Sequence, residues 1–221
     1  MSVLDIIITY HRGFLAGLWV TLQLSILIWG AGIIGGGALG LAASKYKTEV
    51  GIPAKIFSFF LSGVPILVFL FWLHYPIQAM FNVVINPFIT AAVTLSIVNI
   101  VAVADLVRTQ VDDFPKQYLT AAKVCGLSPA KTVRYIQFPI IFRQILPGLM
   151  LLQVTMLHTT LFASLISVEE IFRVAQRINS SIYKPVEIYT ALGVFFLLIC
   201  LPINGLALFL RAKFTRNLSE N

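Results

Sequence analysis

Charge is scarce in this sequence. No charged residue occurs between Arg12 and Lys45, between Lys55 and Asp105, from Gln144 to Val168, or from Ile188 to Leu210. Charged residues make up 11% of the chain and hydrophobic residues 58%, which excludes an ordinary soluble domain and makes a bilayer the natural solvent. Cysteine is nearly absent: Cys125 and Cys200 are too few and too far apart for a disulfide scaffold or a thiolate metal site. The 14 glycines and 10 prolines form no low-complexity tract, so collagen-like and disordered classes fall away. There is no G-x-x-x-x-G-K-S/T phosphate loop, so ATP chemistry is not expected on this chain. No paired carboxylates, histidine cluster or Ser/Lys dyad crosses the apolar blocks, which argues against a membrane-embedded enzyme.

What is present is a set of long apolar blocks. A helix needs about 20 apolar residues to cross the hydrocarbon core. The first span is expected over residues 14–43. Asp5 and the lack of a basic cluster before it argue against a cleaved signal, so this span is expected to stay on the protein. Residues 55–105 are too long for one crossing and must turn back at His74, Tyr75, Pro76, Asn82, Asn86 and Pro87. That gives spans over 55–73 and 87–107, and two more follow over 144–168 and 188–210. The fold class is therefore an all-α integral membrane protein with about five transmembrane helices in a single domain over 1–221.

The basic residues set the orientation. With the N-terminus outside, 12 of the 16 Lys and Arg flank the spans on the cytoplasmic side: Lys45, Lys47, Lys55, Arg108, Lys116, Lys123, Lys131, Arg134, Arg143, Arg211, Lys213 and Arg216. Arg12, Arg173, Arg177 and Lys184 are left outside. The net charge of +7 reflects this asymmetry, and no nucleic-acid partner is expected. In the first span Gly32, Gly36 and Gly40 recur every four residues, so one face lets another helix come close. That helix belongs either to this chain or to a second membrane subunit.

Between the third and fourth spans lies a cytoplasmic loop, 113–139, rich in helix punctuation. Asp113 is expected to cap a helix with Pro115 in its first turn, running over 116–124 and ended by Gly126 at positive φ. Ser128 and Pro129 open a second short helix to about Gln137, and Pro139 follows. Tyr118, Leu119, Val124, Cys125 and Leu127 would form an apolar knob rimmed by Lys116, Lys123, Lys131 and Arg134, a pattern typical of a docking site. The adjoining spans leave no room for this pair to read DNA as a helix-turn-helix.

These residues carry a resemblance. Thr120-Ala121-Ala122, Gly126, Ile136, Phe138 and Pro139 resemble the cytoplasmic signature of binding-protein-dependent ABC importer permeases: EAA, three residues, G, nine residues, I-x-LP. Thr120 replaces the usual Glu and Phe138 the usual Leu. Gly17 to Leu24, Ser62-Gly63-Val64-Pro65, Asp105-Leu106-Val107-Arg108, His158-Thr159-Thr160 and Tyr183 to Tyr189 are similar to segments of the polar amino acid uptake branch. Ser62 stands where that branch has Arg, and His158-Thr159 where it often has Lys-Asp. The resemblance covers nearly the whole chain.

It implies a type I ABC importer permease fold in a bacterial inner membrane, N-terminus outside and C-terminus cytoplasmic. It implies ATPase subunits carrying ATP and Mg, a second permease subunit, an external substrate-binding protein and an amino acid substrate. This chain itself would hold no cofactor. Coupling to the ATPase would rest on Tyr118, Thr120, Ala121, Ala122, Gly126 and Pro139. Polar groups near mid-membrane are costly, which marks Gln153, His158, Thr159 and Thr160 as pathway candidates beside Ser62, Gly63 and Pro65. A hydroxyl there also has a plain reading, a bond to its own helix backbone, and His158 is either a pathway or a packing residue. The missing charges suit a passive half of a heterodimer, so a different second chain is favoured over a copy. Asp105 and Arg108 are expected to pair at i, i+3. Residues 169–184 have the spacing of an amphipathic helix that touches the binding protein or rests on lipid. A proton-coupled secondary transporter is the alternative; it would need buried carboxylates, and Asp105 is the lone candidate.

Overall fold

The computed structural model describes the backbone of residues 2–219 and side chains as far as Phe214, so the charge of Arg216 lies outside the described residues. No strand occurs among them. The first span is one long helix, Val3–Lys45, made of α1 (Val3–Ala31), a π turn (Gly32–Gly36) and α2 (Gly37–Lys45). It starts eleven residues before the expected 14 because Ser2 and Asp5 form a capping box, Asp5 N–H donating to Ser2 Oγ at 3.2 Å and Ser2 N–H to Asp5 Oδ2 at 2.7 Å.

The second span departs from a single helix over 55–73. A π turn (Lys47–Gly51) leads into α3 (Ile52–Gly63), the chain breaks at Val64 and Pro65, and α4 (Ile66–His74) and α5 (Pro76–Met80) follow at 95° to the first part. Proline disfavours helical backbone in the residue before it, and Val64 is extended at φ −103°, ψ 125°. Pro65 has no N–H to continue the ladder.

The third span, α6 (Pro87–Asp112), is the centre of the molecule and packs against α1, α2, α3, α4 and the helix of the fourth span. Asn86 Oδ1 accepts from Phe88 N–H at 2.8 Å and opens it. The glycine stripe is filled from within the chain. A Cβ on Gly36 would lie 2.6 Å from the Ile100 carbonyl, and one on Gly40 2.6 Å from the Ala104 carbonyl. Residue numbers rise together along this contact, so spans one and three run parallel.

After the loop, α7 (Lys116–Val124) and α8 (Pro129–Thr132) lead through a π turn (Val133–Gln137) into α9 (Phe138–Thr159) and a 3-10 turn (Thr160–Ile166). Next come α10 (Ile171–Ile182) and α11 (Pro185–Ser219), which contains Pro202. Leu24, Ile28, Leu70, Leu95 and Met156 form the main buried cluster, joining α1, α4, α6 and α9. A second cluster, Phe14, Ile171, Val174, Ile178 and Ile188, sits at the end away from Lys45, Arg108 and Arg211. The amphipathic helix of 169–184 therefore lays its apolar face on α1 and α11, not on lipid.

Candidate coupling loop and membrane cleft

The loop is built by local chemistry. Gly126 has φ +72°, a conformation that side chains resist. The turn lets Cys125 N–H donate to the Ala121 carbonyl and Leu127 N–H to the Ala122 carbonyl, both at 3.0 Å, which closes the last turn of α7. Ala122 is buried, while Thr120 and Ala121 face outward. Thr120 Oγ1 donates to the Lys116 carbonyl at 3.3 Å, so the hydroxyl is held by its own helix. Val124 is 84% exposed and Cys125 is exposed, whereas Tyr118, Leu119 and Leu127 are half-buried, the Tyr118 ring 5.8 Å from that of Phe114. The apolar knob is thus narrower than five residues.

Two details of the loop differ from the sequence expectation. Asp113 does not cap α7: α6 runs on to Asp112, Asp113 closes it, and Pro115 stands at the N-cap of α7 without a side-chain bond. Pro139 does not end the second helix, because the π turn at Val133–Gln137 shifts the ladder and Pro139 sits in the first turn of α9, where its missing N–H costs little. Ser128 caps α8, its Oγ accepting from Lys131 N–H at 3.4 Å.

The break at Val64 and Pro65 opens a cleft of about 350 Å³ between α3, α4 and α6. Ser58, Ser62, Val64 and Asp105 line it, with Val98, Val101 and Ala102 as its apolar wall. Asp105 accepts from Ser58 Oγ across the two helices and from Arg108 Nη2 at 2.8 Å, the i, i+3 pair read in the sequence. Ser62 is exposed and donates to the Phe59 carbonyl at 2.9 Å. Gly63 and Pro65 are exposed, and a Cβ on Gly63 would meet nothing within 4 Å.

The polar residues of the fourth span do not join this cleft. Gln153 is buried against α6, its Oε1 accepting from Asn99 Nδ2 at 2.9 Å and its carbonyl from Trp29 Nε1 at 3.0 Å. Thr159 and Thr160 are buried and donate to the Met156 and Leu157 carbonyls, both at 2.7 Å. His158 faces outward, its Nε2 3.3 Å from Cys200 Sγ and its ring 5.8 Å from Phe196 of α11.

Three polar contacts are not visible in the sequence pattern. Asn99 is fully buried and bonds both Gln153 and the Ile28 carbonyl; an amide inside a charge-free block was its visible signal. Ser58 reaches Asp105 through a contact that no local pattern announces. Glu170 is fully buried as the N-cap of α10, accepting from Phe172 and Arg173 N–H at 2.9 and 2.8 Å. Beside it Ile171 N–H donates to Thr21 Oγ1 at 3.1 Å. Glu170 lies outside the spans, and burial pushes its carboxyl up to about 7 against the lowering pull of those N–H groups.

Comparison with known proteins places this geometry. The family described as binding-protein-dependent transport system inner membrane component matches residues 32–216. The chain is 31% identical over 193 residues to the glutamine transport system permease protein GlnP of Escherichia coli, covering 85% of this chain and 86% of that protein. It is 26% identical over 215 residues to the histidine/lysine/arginine/ornithine transport system permease protein HisQ of Salmonella typhimurium, covering 91% and 92%. A crystal structure of an amino acid ABC transporter with histidines has a chain that superposes with a TM-score of 0.85 at 25% identity, covering 96% of this chain and 99% of that one.

Proposed function

The chain belongs to the family of binding-protein-dependent transport system inner membrane components, and from that premise we propose that it is a transmembrane permease subunit of an ATP-driven importer for polar amino acids or related small polar solutes. Its pathway forms with a second permease subunit. ATP and Mg are held by partner ATPase subunits, and an external binding protein delivers the substrate. The N-terminus lies outside the bacterial inner membrane, so Lys45, Arg108, Arg143 and Arg211 are cytoplasmic.

One observation supports the coupling role: α7 ends in a turn at Gly126 that leaves Val124 and Cys125 exposed. In this reading Ala122 roots the helix, Thr120 and Ala121 face the ATPase, Tyr118 stiffens the helix on Phe114, and Pro139 sits where the loop joins α9. Movement of the ATPase pair then reaches α6 through Asp113 and α9 through the continuous helix Pro129–Ile166.

Among the pathway candidates, the cleft residues Ser62, Gly63 and Pro65 are the best supported, being exposed at a broken span. His158 is the next, because its ring lies on an outward face. Gln153, Thr159 and Thr160 serve packing, since each is buried as well as bonded within the chain. Asp105, the lone carboxylate that a proton carrier would use, is paired with Arg108 and Ser58, which disfavours the secondary-transporter reading. Ser62 and His158 supply no fixed charge for both ends of an amino acid, which supports the passive half of a heterodimer.

The test is uptake into proteoliposomes holding the complete complex, with labelled glutamine or histidine and the loaded binding protein. Uptake driven by ATP and indifferent to a proton gradient is expected; uptake on a proton gradient alone overturns the reading. Loss of uptake in His158→Ala equal to that of the corresponding change in the second permease would overturn the passive half.

A further inference from the structure

The half of the second span that precedes the break is held to the molecule along one narrow line. No residue of α3 is buried. Ala54, Ser58 and Leu61 are half-buried, and their spacing of four and three puts them on one face of the helix. Along that face the packing against α6 is loose. Ala54 shares a cavity of about 20 Å³ with Ala104 and Arg108, and Leu61 shares the cleft of about 350 Å³ with Val98 and Val101. Asp105 lines both spaces, and at their boundary it accepts the hydrogen bond of Ser58 Oγ. Among the described residues, Ser58 is the one α3 side chain that hydrogen-bonds another element. The smaller cavity lies towards Arg108, so the bond stands at the cytoplasmic end of the cleft.

The base of α3 is fixed. Gly51 packs so closely that a Cβ on it would lie 2.7 Å from the Ala43 carbonyl. Lys47 Nζ, in the turn that leads to it, is 3.8 Å from Asp112 Oδ1, which also accepts from Ser44 Oγ at 2.7 Å. The far end has no such anchor. The helix stops at Val64 and Pro65, the next one leaves at 95°, and a Cβ on Gly63 would meet nothing within 4 Å. Along the axis Ser58 is about 10 Å from Gly51 and Gly63 about 18 Å, so a parting at Ser58 is enlarged at the break.

We propose that Ser58 and Asp105 are positioning residues of transport: their hydrogen bond latches α3 onto α6, and its release lets α3 swing about Gly51 and open the cleft towards the cytoplasm. The proposal rests on the importer reading. A helix with no buried side chain has little packing to lose when it moves, and the residues at its two ends absorb the turn. Arg108 keeps the acceptor in place, its Nη2 donating to Asp105 Oδ1 at 2.8 Å while Oδ2 takes Ser58. Asp105 and Arg108 lie in the last turns of α6, the helix that runs into the coupling loop, so movement of the loop reaches the latch directly.

The experiment uses the complete complex in proteoliposomes, with its ATPase, second permease and loaded binding protein. Leu61→Cys is labelled with a small maleimide with and without a non-hydrolysable ATP analogue, and peptide mass spectrometry separates it from Cys125 and Cys200. Labelling is expected to differ several-fold between the two states. Ser58→Ala in the same chain should remove that difference and lower the solute moved per ATP hydrolysed several-fold. Ser58→Thr, which keeps the hydroxyl, should restore both. Equal labelling in the two states, a difference that survives Ser58→Ala, or an unchanged ratio of solute to ATP overturns the proposal. Should Leu61→Cys not assemble, Ala102→Cys on the facing wall of the cleft takes its place with the same expectations. ATP-driven uptake of labelled glutamine or histidine by the wild-type complex is measured in the same vesicles. Its absence overturns the importer reading and the latch with it, whereas uptake with equal labelling overturns the latch alone.

Discussion

Asn99 and Gln153 meet amide to amide in the middle of the bundle, Asn99 Nδ2 donating to Gln153 Oε1 at 2.9 Å. The same Nδ2 also donates to the Ile28 carbonyl at 2.9 Å, beside the π turn of the first span. Spans one, three and four are thus joined by buried polar bonds. Removing either amide leaves the other short of a partner. Asn99→Ala and Gln153→Ala should each lower the unfolding midpoint in detergent, and the double variant should lose less than the sum. The expected coupling is about 1 kcal/mol. Strict additivity would mean that the two amides act separately.

The glycine stripe gives a sharper contrast. A Cβ on Gly36 would approach the Ile100 carbonyl to 2.6 Å, and only separation of α6 from the first span relieves it. At neighbouring Gly37 a Cβ meets nothing within 4 Å. Gly36→Ala should therefore destabilise by about 1–3 kcal/mol, whereas Gly37→Ala should be neutral or stabilising by about 1 kcal/mol or less. Thermal unfolding of the two purified variants checks this. Equal effects would contradict the close packing of spans one and three.

Glu170 makes the seating of α10 depend on pH. Its folded-state value of about 7 stands above the ordinary 4.5, so the folded chain binds the proton more tightly than the unfolded one. The penalty for ionising it in place is absent below about 4.5, grows as pH rises between the two values and is complete above about 7. Glu169 beside it adds repulsion, while Glu169 is itself paired with Arg177 at 3.1 Å. Hydrogen exchange in α10 should therefore slow as pH falls from 8 to 5.5, after correction for intrinsic rates. Glu170→Gln should flatten that dependence, because the amide keeps an acceptor for the helix start but does not titrate. A Gln variant with the wild-type slope would assign the effect to another group.

Gly126 tests the loop apart from the membrane core. At φ +72° a β-branched side chain is strained by about 1–3 kcal/mol, and the closing bonds to Ala121 and Ala122 loosen with it. Gly126→Val should leave the chain folded and inserted, yet lower the ATP hydrolysis stimulated by the loaded binding protein several-fold. Unchanged stimulation would separate the turn from coupling.

Legibility followed locality. The end of α7 at Gly126 and the cap of α8 at Ser128 depend on residues a few positions apart, and both were readable. So was the approximate number of apolar spans, though not their ends, because the absence of charge is a property of a continuous block. The break at Val64 and Pro65 was missed since the whole block up to His74 is apolar, and a proline in a span bends it by an amount that only its neighbours decide. Asp113 was misread because two signals competed for one residue, the end of α6 and the start of α7. Asn99 with Gln153, and Ser58 with Asp105, join residues far apart in the chain, and no periodicity records such partners. In the candidate site, Ser62, Gly63 and Pro65 share one exposed break, whereas Gln153, Thr159 and Thr160 are buried among their own helices.

The central claim is that α7 docks an ATPase. Affinity purification of the tagged chain from mild detergent, with and without residues 116–124, tests it most directly. The account predicts that a soluble ATPase and a second permease accompany the intact chain, and that the ATPase is lost or weakened by the deletion. Equal recovery of the ATPase with both forms, or recovery of the chain with no ATPase in either, would contradict it.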